Sequence, residues 1–366
     1  MALKTVTDVR NEGLSNDPEE ARRQLWREAI DSNRDQWGRP KIMLPDESKE
    51  VGYKRASSYG SPLEDDTNLV KWKMRQVARG VARRQAIGLA VTRAEVGLEE
   101  DDKAAVTAAR RELNDLCEQA MEAVGSGEAA SIGTSLHAVF ELIDLKRDAG
   151  HVQEQWRPDV AAYRALMAGF DVLDVERFVV QDEFRVAGTL DRAVRTRYAM
   201  RAPDDTVIPA GSVLIGDVKT SQSMDFAGCK FAVQCWMYAT GHPYDPVAKQ
   251  RVAWGHEPPR TDWAVIFHVP SGKGTAAMFW VDLTTAGFAA SDCREVYLWR
   301  NKNGKALISK GAPGEDFRVT ADEAETVEEL TAAYRRAILV DAWDEEMRQH
   351  FSRRRTELVI SSENAA

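Results

Sequence analysis

The sequence predicts an α/β protein with a sheet-bearing core and helical additions at both ends, and three observations carry that prediction. From about residue 65 to 150, apolar residues recur at the spacing of helices. Between 177 and 220 the pattern changes to short β-branched runs that alternate or stay apolar. A helical pattern then returns over about 225–240 and is followed by a further pair of strands. Helix, three strands, helix, strands is the order of an α/β core. The expected divisions are a helical N-terminal region 1–125, a core 126–300, and a helical C-terminal region with a polar tail, 301–366.

Taken in order, residues 1 to about 62 are polar and show few periodic apolar positions. "DDTNLVKWKMRQVARGVARRQAIGLAV" reads as a helix after the acidic cap Asp65–Asp66. Val70, Met74, Val77 and Val81 recur at helical spacing and predict its core face. Lys71, Arg75 and Arg79 stand one turn apart on a neighbouring face, and no acid occurs between Thr67 and Thr92. Such a stripe suits either a solvated surface or the tracking of phosphates. A second helix over about 100–124 is closed by "GSGE", and a third follows "SIGTS" as "LHAVFELIDLKRDAG". "RFVVQDEF" (177–184), "AGTLDRAVRTR" (187–197) and "SVLIGDVKT" (212–220) predict the three strands. "DWAVIFHVPSGKGTAAMFWVDL" predicts a hairpin around residues 271–274, and the region from about 320 to 355 is helical and charged.

Bulk properties narrow the function classes. The chain has 366 residues, 43% hydrophobic and 29% charged, which is a soluble globular composition. No run approaches the roughly 18 apolar residues of a membrane helix, and "MALKTVTDVRNEG" has no apolar signal core. Four cysteines make no disulfide framework in so long a chain and suit a reducing cytoplasm, the expected location. The net charge of −9 excludes a polycation but leaves room for local basic stripes.

The chemistry concentrates in "LIGDVKT". Side chains alternate along a strand, so Asp217 and Lys219 share one face and Val218 takes the other. Unpaired buried charge is costly, so the pair is either a structural ion pair or part of a hydrolytic site. In such a site a carboxylate holds a hard cation and a lysine stabilises charge developing on a phosphate. Asp191, in "GTLDR", approaches Asp217 if their strands pair antiparallel, and Gly188 permits close backbone approach there. Two such carboxylates repel unless a cation lies between them. Mg²⁺ suits them, keeping several waters and gripping phosphates. Glu183 lies one short strand earlier as a further acid. His137 and Glu141 fall one turn apart on the helix in "GTSLHAVFE", where the histidine is either a core residue or a ligand tolerant of Mn²⁺. Gln234 and Tyr238 share a face of the helix after the Asp–Lys strand.

"GTSLHAVFE", "DEFRVAGTLDR", "LIGDVKTS" and "QCWMYATG" together make the chain resemble the PD-(D/E)XK nucleases. The likeness is to the RecB-like exonuclease branch, with its RecE-type and CRISPR-associated members, especially versions encoded by actinobacterial phages. It covers about 130–300, and "LVKWKMRQVARGVA" looks like the helical lead-in of the phage versions. The resemblance implies a restriction-endonuclease-like core, α-β-β-β-α-β with a mixed sheet. It implies His137, Asp191, Asp217 and the carbonyl of Val218 as ligands to one or two Mg²⁺ or Mn²⁺ ions, with Glu183 as an additional acid. Lys219 matches the catalytic lysine, and Gln234 and Tyr238 match the motif that follows. The implied reaction is hydrolysis of DNA phosphodiesters from duplex ends, in phage recombination or DNA processing, alongside a single-strand annealing protein. Some relatives form rings around DNA, so an oligomer is compatible with it. Lys71, Arg75, Arg79, Arg192, Arg195 and Arg197 are the expected phosphate contacts.

The first motif here reads T-L-D and the second D-V-K, both accepted variants within the RecB branch. Some relatives carry an iron–sulfur cluster. Cys117, Cys229, Cys235 and Cys293 lack the close spacing such clusters use, which argues against one. Two other readings stand beside the exonuclease: a structure-specific or restriction-like endonuclease, and a catalytically silent DNA-binding scaffold. The scaffold would be marked by a lost acid or lysine, and Asp191, Asp217 and Lys219 are all present.

Overall fold

The computed structural model describes residues 18–45, 47–99, 101–225, 227–302, 307 and 316–363. The chain divides into two compact units, one running to Val296 and one from Tyr297 onwards.

The first unit opens with α1 (Pro18–Ser32), the hairpin β1 (Lys41–Met43) and β2 (Glu50–Gly52), the two-residue β3 (Lys54–Arg55) and the short α2 (Ala56–Tyr59). Three helices follow, α3 (Thr67–Arg83), α4 (Gln85–Val96) and α5 (Lys103–Glu122), then α6 (Glu128–Asp144) and α7 (Arg157–Met167). The core strands are β4 (Phe170–Gln181) and β5 (Val186–Thr196), with β6 (Met200–Arg201) and β7 (Val207–Ile208) in the excursion before β8 (Val213–Lys219). Next come α8 (Gly228–Ala239), β9 (His242–Asp245), β10 (Gln250–Arg251), β11 (Trp263–His268) and β12 (Ala277–Asp282). Helix α9 (Leu283–Asn301) carries the boundary between the units.

The main sheet is mixed, with eight strands in the order β10-β9-β4-β5-β8-β11-β12 and β3 added against β5. Strands β8 and β11 run parallel, which requires a crossover, and α8 lies in it. β8 is buried along almost its whole length, as the apolar run VLIGDVK demands. Val194, Leu214 and Val218 pack under Leu136 and Phe140 of α6 and Tyr163 and Met167 of α7.

The N-terminal region is not purely helical, contrary to expectation. Its segments 41–43, 50–52 and 54–55 are strands, and β3 pairs with Val186 and Ala187 of β5. Strands of two or three residues are too short to leave a periodic signal in a sequence. β3 closes part of the main sheet, because β4 already occupies the other edge of β5 at those residues.

The predicted long helix from Thr67 breaks at Arg84, whose backbone is extended, into α3 and α4. Asp65 accepts the Thr67 N–H at 2.9 Å just ahead of it, while the N-cap residue Asp66 makes no side-chain cap. The expected core face is rotated. Val70 is 52% and Met74 65% exposed, whereas Gln76 and Gly80 are buried, with Val77 and Val81 beside them. The cause is the crossing with α5, where a Cβ on Gly80 would lie 1.9 Å from the Ala120 carbonyl oxygen. Only glycine lets the two backbones approach this closely. Gly80→Ala is expected to destabilise the first unit by about 1–3 kcal/mol, as overpacking does, read as a lower midpoint in urea unfolding. An unchanged midpoint would show that this crossing does not set the packing.

The second unit holds α10 (Phe317–Glu323), α11 (Val327–Leu339) and α12 (Glu345–Glu363), in keeping with the helical pattern of its sequence. Phe317, Leu330, Ala333, Phe351 and Leu358 form its core, with Trp343 packed against them. Among the described residues of the chain no helix is long and apolar enough to cross a membrane.

Candidate metal centre and its cleft

The site lies where two strands part. β5 and β8 pair antiparallel from Arg195↔Val213 to Arg192↔Gly216, and the ladder then ends. Just past that point stand Asp191 on one strand and Asp217 on the other, as antiparallel pairing requires. The Asp191 carboxylate closes the fork by accepting the backbone N–H of Val218 at 2.8 Å. Further along β5, the hydroxyl of Tyr238 donates to the Thr189 carbonyl at 2.9 Å. A Cβ on Gly188 would sit 2.8 Å from that hydroxyl oxygen and 3.0 Å from Ala56 Cβ, so glycine is what lets α8 and α2 close on the strand.

His137 enters from α6. Leu136 and Phe140 anchor the helix in the core, and His137 Nε2 lies 3.5 Å from Asp191 Oδ2 and 3.9 Å from Glu176 Oε1. That nitrogen is buried and hydrogen-bonds to neither. One ligand atom from each of His137, Glu176 and Asp191 lies within 4.8 Å of the others, a group that could hold a metal ion. An imidazole nitrogen facing two carboxylates at more than hydrogen-bond distance fits a cation among the three, and the donor set suits a hard or borderline divalent ion.

Glu176 is the residue that sequence reasoning missed. It sits in β4 with φ at +53°, between the pairs Val175↔Arg192 and Arg177↔Leu190, and therefore opposite Asp191. A left-handed glutamate inside a strand is strained, and such residues concentrate at functional sites. Counting back across the hairpin from Gln181↔Val186 would have placed Glu176 against Asp191. Glu183, the expected third acid, is instead in the turn between β4 and β5. It is exposed and pairs with Arg294 at 3.3 Å. A turn residue lacks the strand register that would aim it into the fork.

Asp217 and Lys219 project to one face, as parity predicts, and form an ion pair in which Asp217 is buried and Lys219 half-buried. Asp217 also accepts from the Gln234 side chain at 3.2 Å, and the Lys219 ammonium lies 4.6 Å from the centre of the Phe231 ring. Asp217 lies beside the three-residue group rather than within it. Gln234 and Tyr238 thus serve Asp217 and the β5 backbone, while Glu141 pairs with Arg27 of α1. Cys235 is buried behind the pair, and burial followed by the Asp217 charge pushes its thiol well up.

The acids differ electrostatically. Burial, then the charges of Asp191 and Glu141, pushes Glu176 up to about 8. Asp217 is raised to about 6, chiefly by burial, with Lys219 opposing and Asp191 adding to it. Burial acts on Asp191 too, but His137, Lys219 and Arg192 outweigh it and hold its carboxyl below the usual range. Lys219 is raised despite burial, because Asp217 and Asp191 face it. Three acids with displaced pKa values at one point are the electrostatic mark of a functional site.

A cleft of about 630 Å³ opens beside the group, lined by His137, Trp156, Lys219, Thr220, Ser221 and Ser271 among others. Its far wall is fixed by Asp159, which is buried and accepts the N–H groups of Gly272 and Gly274 at 2.8 and 2.7 Å. His268 Nε2 donates to the Ser221 carbonyl at 2.8 Å and steadies the nearer wall. Val218 also borders the cleft.

The expected basic contacts divide. Lys71, Arg75 and Arg79 are exposed on α3. Arg192 is fully buried, contrary to expectation. It pairs with Asp144, which also accepts from the Tyr163 hydroxyl at 2.5 Å, so it cannot contact a phosphate. Adjacent residues on a strand face opposite ways, which turns Arg192 from Asp191 into the core. Arg195 and Arg197 are also committed elsewhere, to Glu257 at 3.8 Å and to Asp171 at 2.7 Å. Arg195 is the last residue of β5 paired with β8, at the end away from the fork, and Arg197 lies just beyond the strand. Arg192→Met is expected to cost about 3–5 kcal/mol of stability by leaving Asp144 buried and unpaired, with Asp144→Leu restoring part of it. A loss of nucleic-acid affinity with unchanged stability would overturn this structural role.

No protein-family model matches the chain, and no curated protein matches it in sequence.

Proposed function

We propose that this protein is a metal-dependent deoxyribonuclease of the PD-(D/E)XK kind, with a restriction-endonuclease-like core, acting from duplex DNA ends. One observation carries the reading: His137, Glu176 and Asp191, from three separate elements, converge beside the Asp217–Lys219 pair at a cleft. The resemblance of the four motifs to RecB-like exonucleases supports it. His137, Glu176 and Asp191 would hold Mg²⁺ or Mn²⁺, with Asp217 beside them. When bound, a divalent ion supplies Lewis-acid charge to a phosphoryl oxygen and lowers the pKa of a coordinated water.

The chain's own groups do the rest. Lys219 borders the cleft, and its ammonium can stabilise charge building on the phosphate or orient the attacking water. Asp217 and Phe231 hold that ammonium in place, and Gln234 holds Asp217. Lys71, Arg75 and Arg79 would track phosphates on the approach. A single-strand annealing protein is the partner that the resemblance implies.

The test uses end-labelled linear duplex and covalently closed circular DNA, with Mg²⁺, Mn²⁺ or EDTA. The expected result is metal-dependent release of label from the linear form and a spared circle. Cutting of the circle would replace the exonuclease with an endonuclease. An intact linear substrate in both metals would remove the nuclease.

A further inference from the structure

A second cationic feature lies between α1 and β4 and has no role in the chemistry above. Helix α1 lies against α6 through Arg27 and Glu141, and both charges reach Glu176. One turn before Trp26 on the same helix face is Arg22, whose guanidinium lies 5.3 Å from the indole centre. The guanidinium of Arg177, the residue after Glu176 on β4, lies 4.7 Å from the same indole.

Two like charges therefore meet on one aromatic ring. Among the described residues, neither Arg22 nor Arg177 has an ion-pair or hydrogen-bond partner, and Arg177 Nε is buried without an acceptor. The acids whose charges reach Arg177 are Asp174 and Asp245, and both are engaged. Asp174 faces His256 at 2.8 Å, and Asp245 accepts the N–H groups of Val247 and Ala248, each at 2.9 Å. A buried N–H without an acceptor and two converging cations are both relieved by an anion. A planar guanidinium fork matches a phosphate, and stacking on an indole pre-orders that fork.

We propose that Arg22, Arg177 and Trp26 form a phosphate-binding subsite between α1 and β4. That the phosphate belongs to a DNA strand rests on the nuclease reading. The phosphate chemistry does not. The phosphate is either a terminal monoester or a backbone diester, and the experiment separates the two.

The probe is a short duplex labelled with fluorescein at its 3′ end and carrying a 5′-phosphate or a 5′-hydroxyl. Binding to the full chain is followed by anisotropy in EDTA, across a salt series. Arg22→Gln/Arg177→Gln is expected to weaken binding about tenfold and to lower the slope of log affinity against log salt by about 1–2. A loss confined to the 5′-phosphorylated probe identifies a terminal monoester, and an equal loss on both identifies a backbone diester. Arg22 is exposed on α1, so Arg22→Gln alone keeps the fold and should lower the slope by about 1. Unchanged affinity and slope in folded variants, or wild-type protein that binds neither probe, would overturn the subsite. Failure of the nuclease reading shows separately, as an uncut duplex when Mg²⁺ is supplied.

Discussion

Lys219→Ala is expected to cut DNA hydrolysis by at least about 10²–10³-fold, the usual loss when one pre-placed charge at a developing oxyanion is removed. The ammonium is held by Asp217 and lies against Phe231 at the cleft, and among the described residues lining that cleft it is the only lysine or arginine. Divalent-ion binding should survive in the variant. Lys219 is a positive charge facing Asp191, and its removal makes a cation at those acids no less favourable. Asp217 then loses its partner, and its carboxyl, already raised to about 6, rises further and is neutral at mildly acidic pH. The fold is therefore expected to hold there by circular dichroism. Calorimetry with Mn²⁺ and a turnover assay read the two effects apart. Wild-type turnover in folded, metal-binding Lys219→Ala would dismiss this lysine from the reaction.

Glu176→Gln is the second large effect. Loss of even an outer-shell partner of a metal costs about 10–100-fold in affinity, and Glu176 belongs to the group itself. Its titration adds a pH signature. A carboxyl raised from 4.5 to about 8 keeps, in the folded protein, a proton that the unfolded chain has already released. Its contribution to metal-free stability is thus whole below about pH 4 and is lost as pH climbs towards 8. Asp217 adds a loss of the same sign between 3.8 and about 6. Asp191, held low, acts in the opposite sense, and its contribution disappears as pH falls through its native value. A bound cation competes with the Glu176 proton. Mn²⁺ should therefore raise the melting temperature more at pH 8 than at pH 6. In Glu176→Gln the metal-free decline above pH 6 should flatten and most of the Mn²⁺ shift should vanish. Identical profiles in the two proteins would remove Glu176 from the metal group.

Features set by local geometry were legible in the sequence. Strand parity alone put Asp217 and Lys219 on one face and Val218 on the other, and the ion pair and the core packing of Val218 agree. Helical spacing alone put Gln234 and Tyr238 on one face of α8, and both turn towards β5 and β8. The order of helices and strands predicted an α/β core, and the sheet is mixed as such a core allows. The same parity, carried one residue further, turns Arg192 away from Asp191.

Tertiary structure decided the rest, because it depends on contacts between segments far apart in the chain. Which acid meets Asp191 follows from the β4–β5 register and the left-handed turn at Glu176, not from nearness in sequence, so Glu176 takes the place expected of Glu183. Which face of α3 is buried follows from the contact of Gly80 with Ala120, forty residues away in the numbering. That Arg192 is spent on Asp144, while Arg22 and Arg177 converge on Trp26, follows from helix packing. Periodicity reports how a segment presents its side chains; only packing, through which charges end up without a partner, reports what they meet.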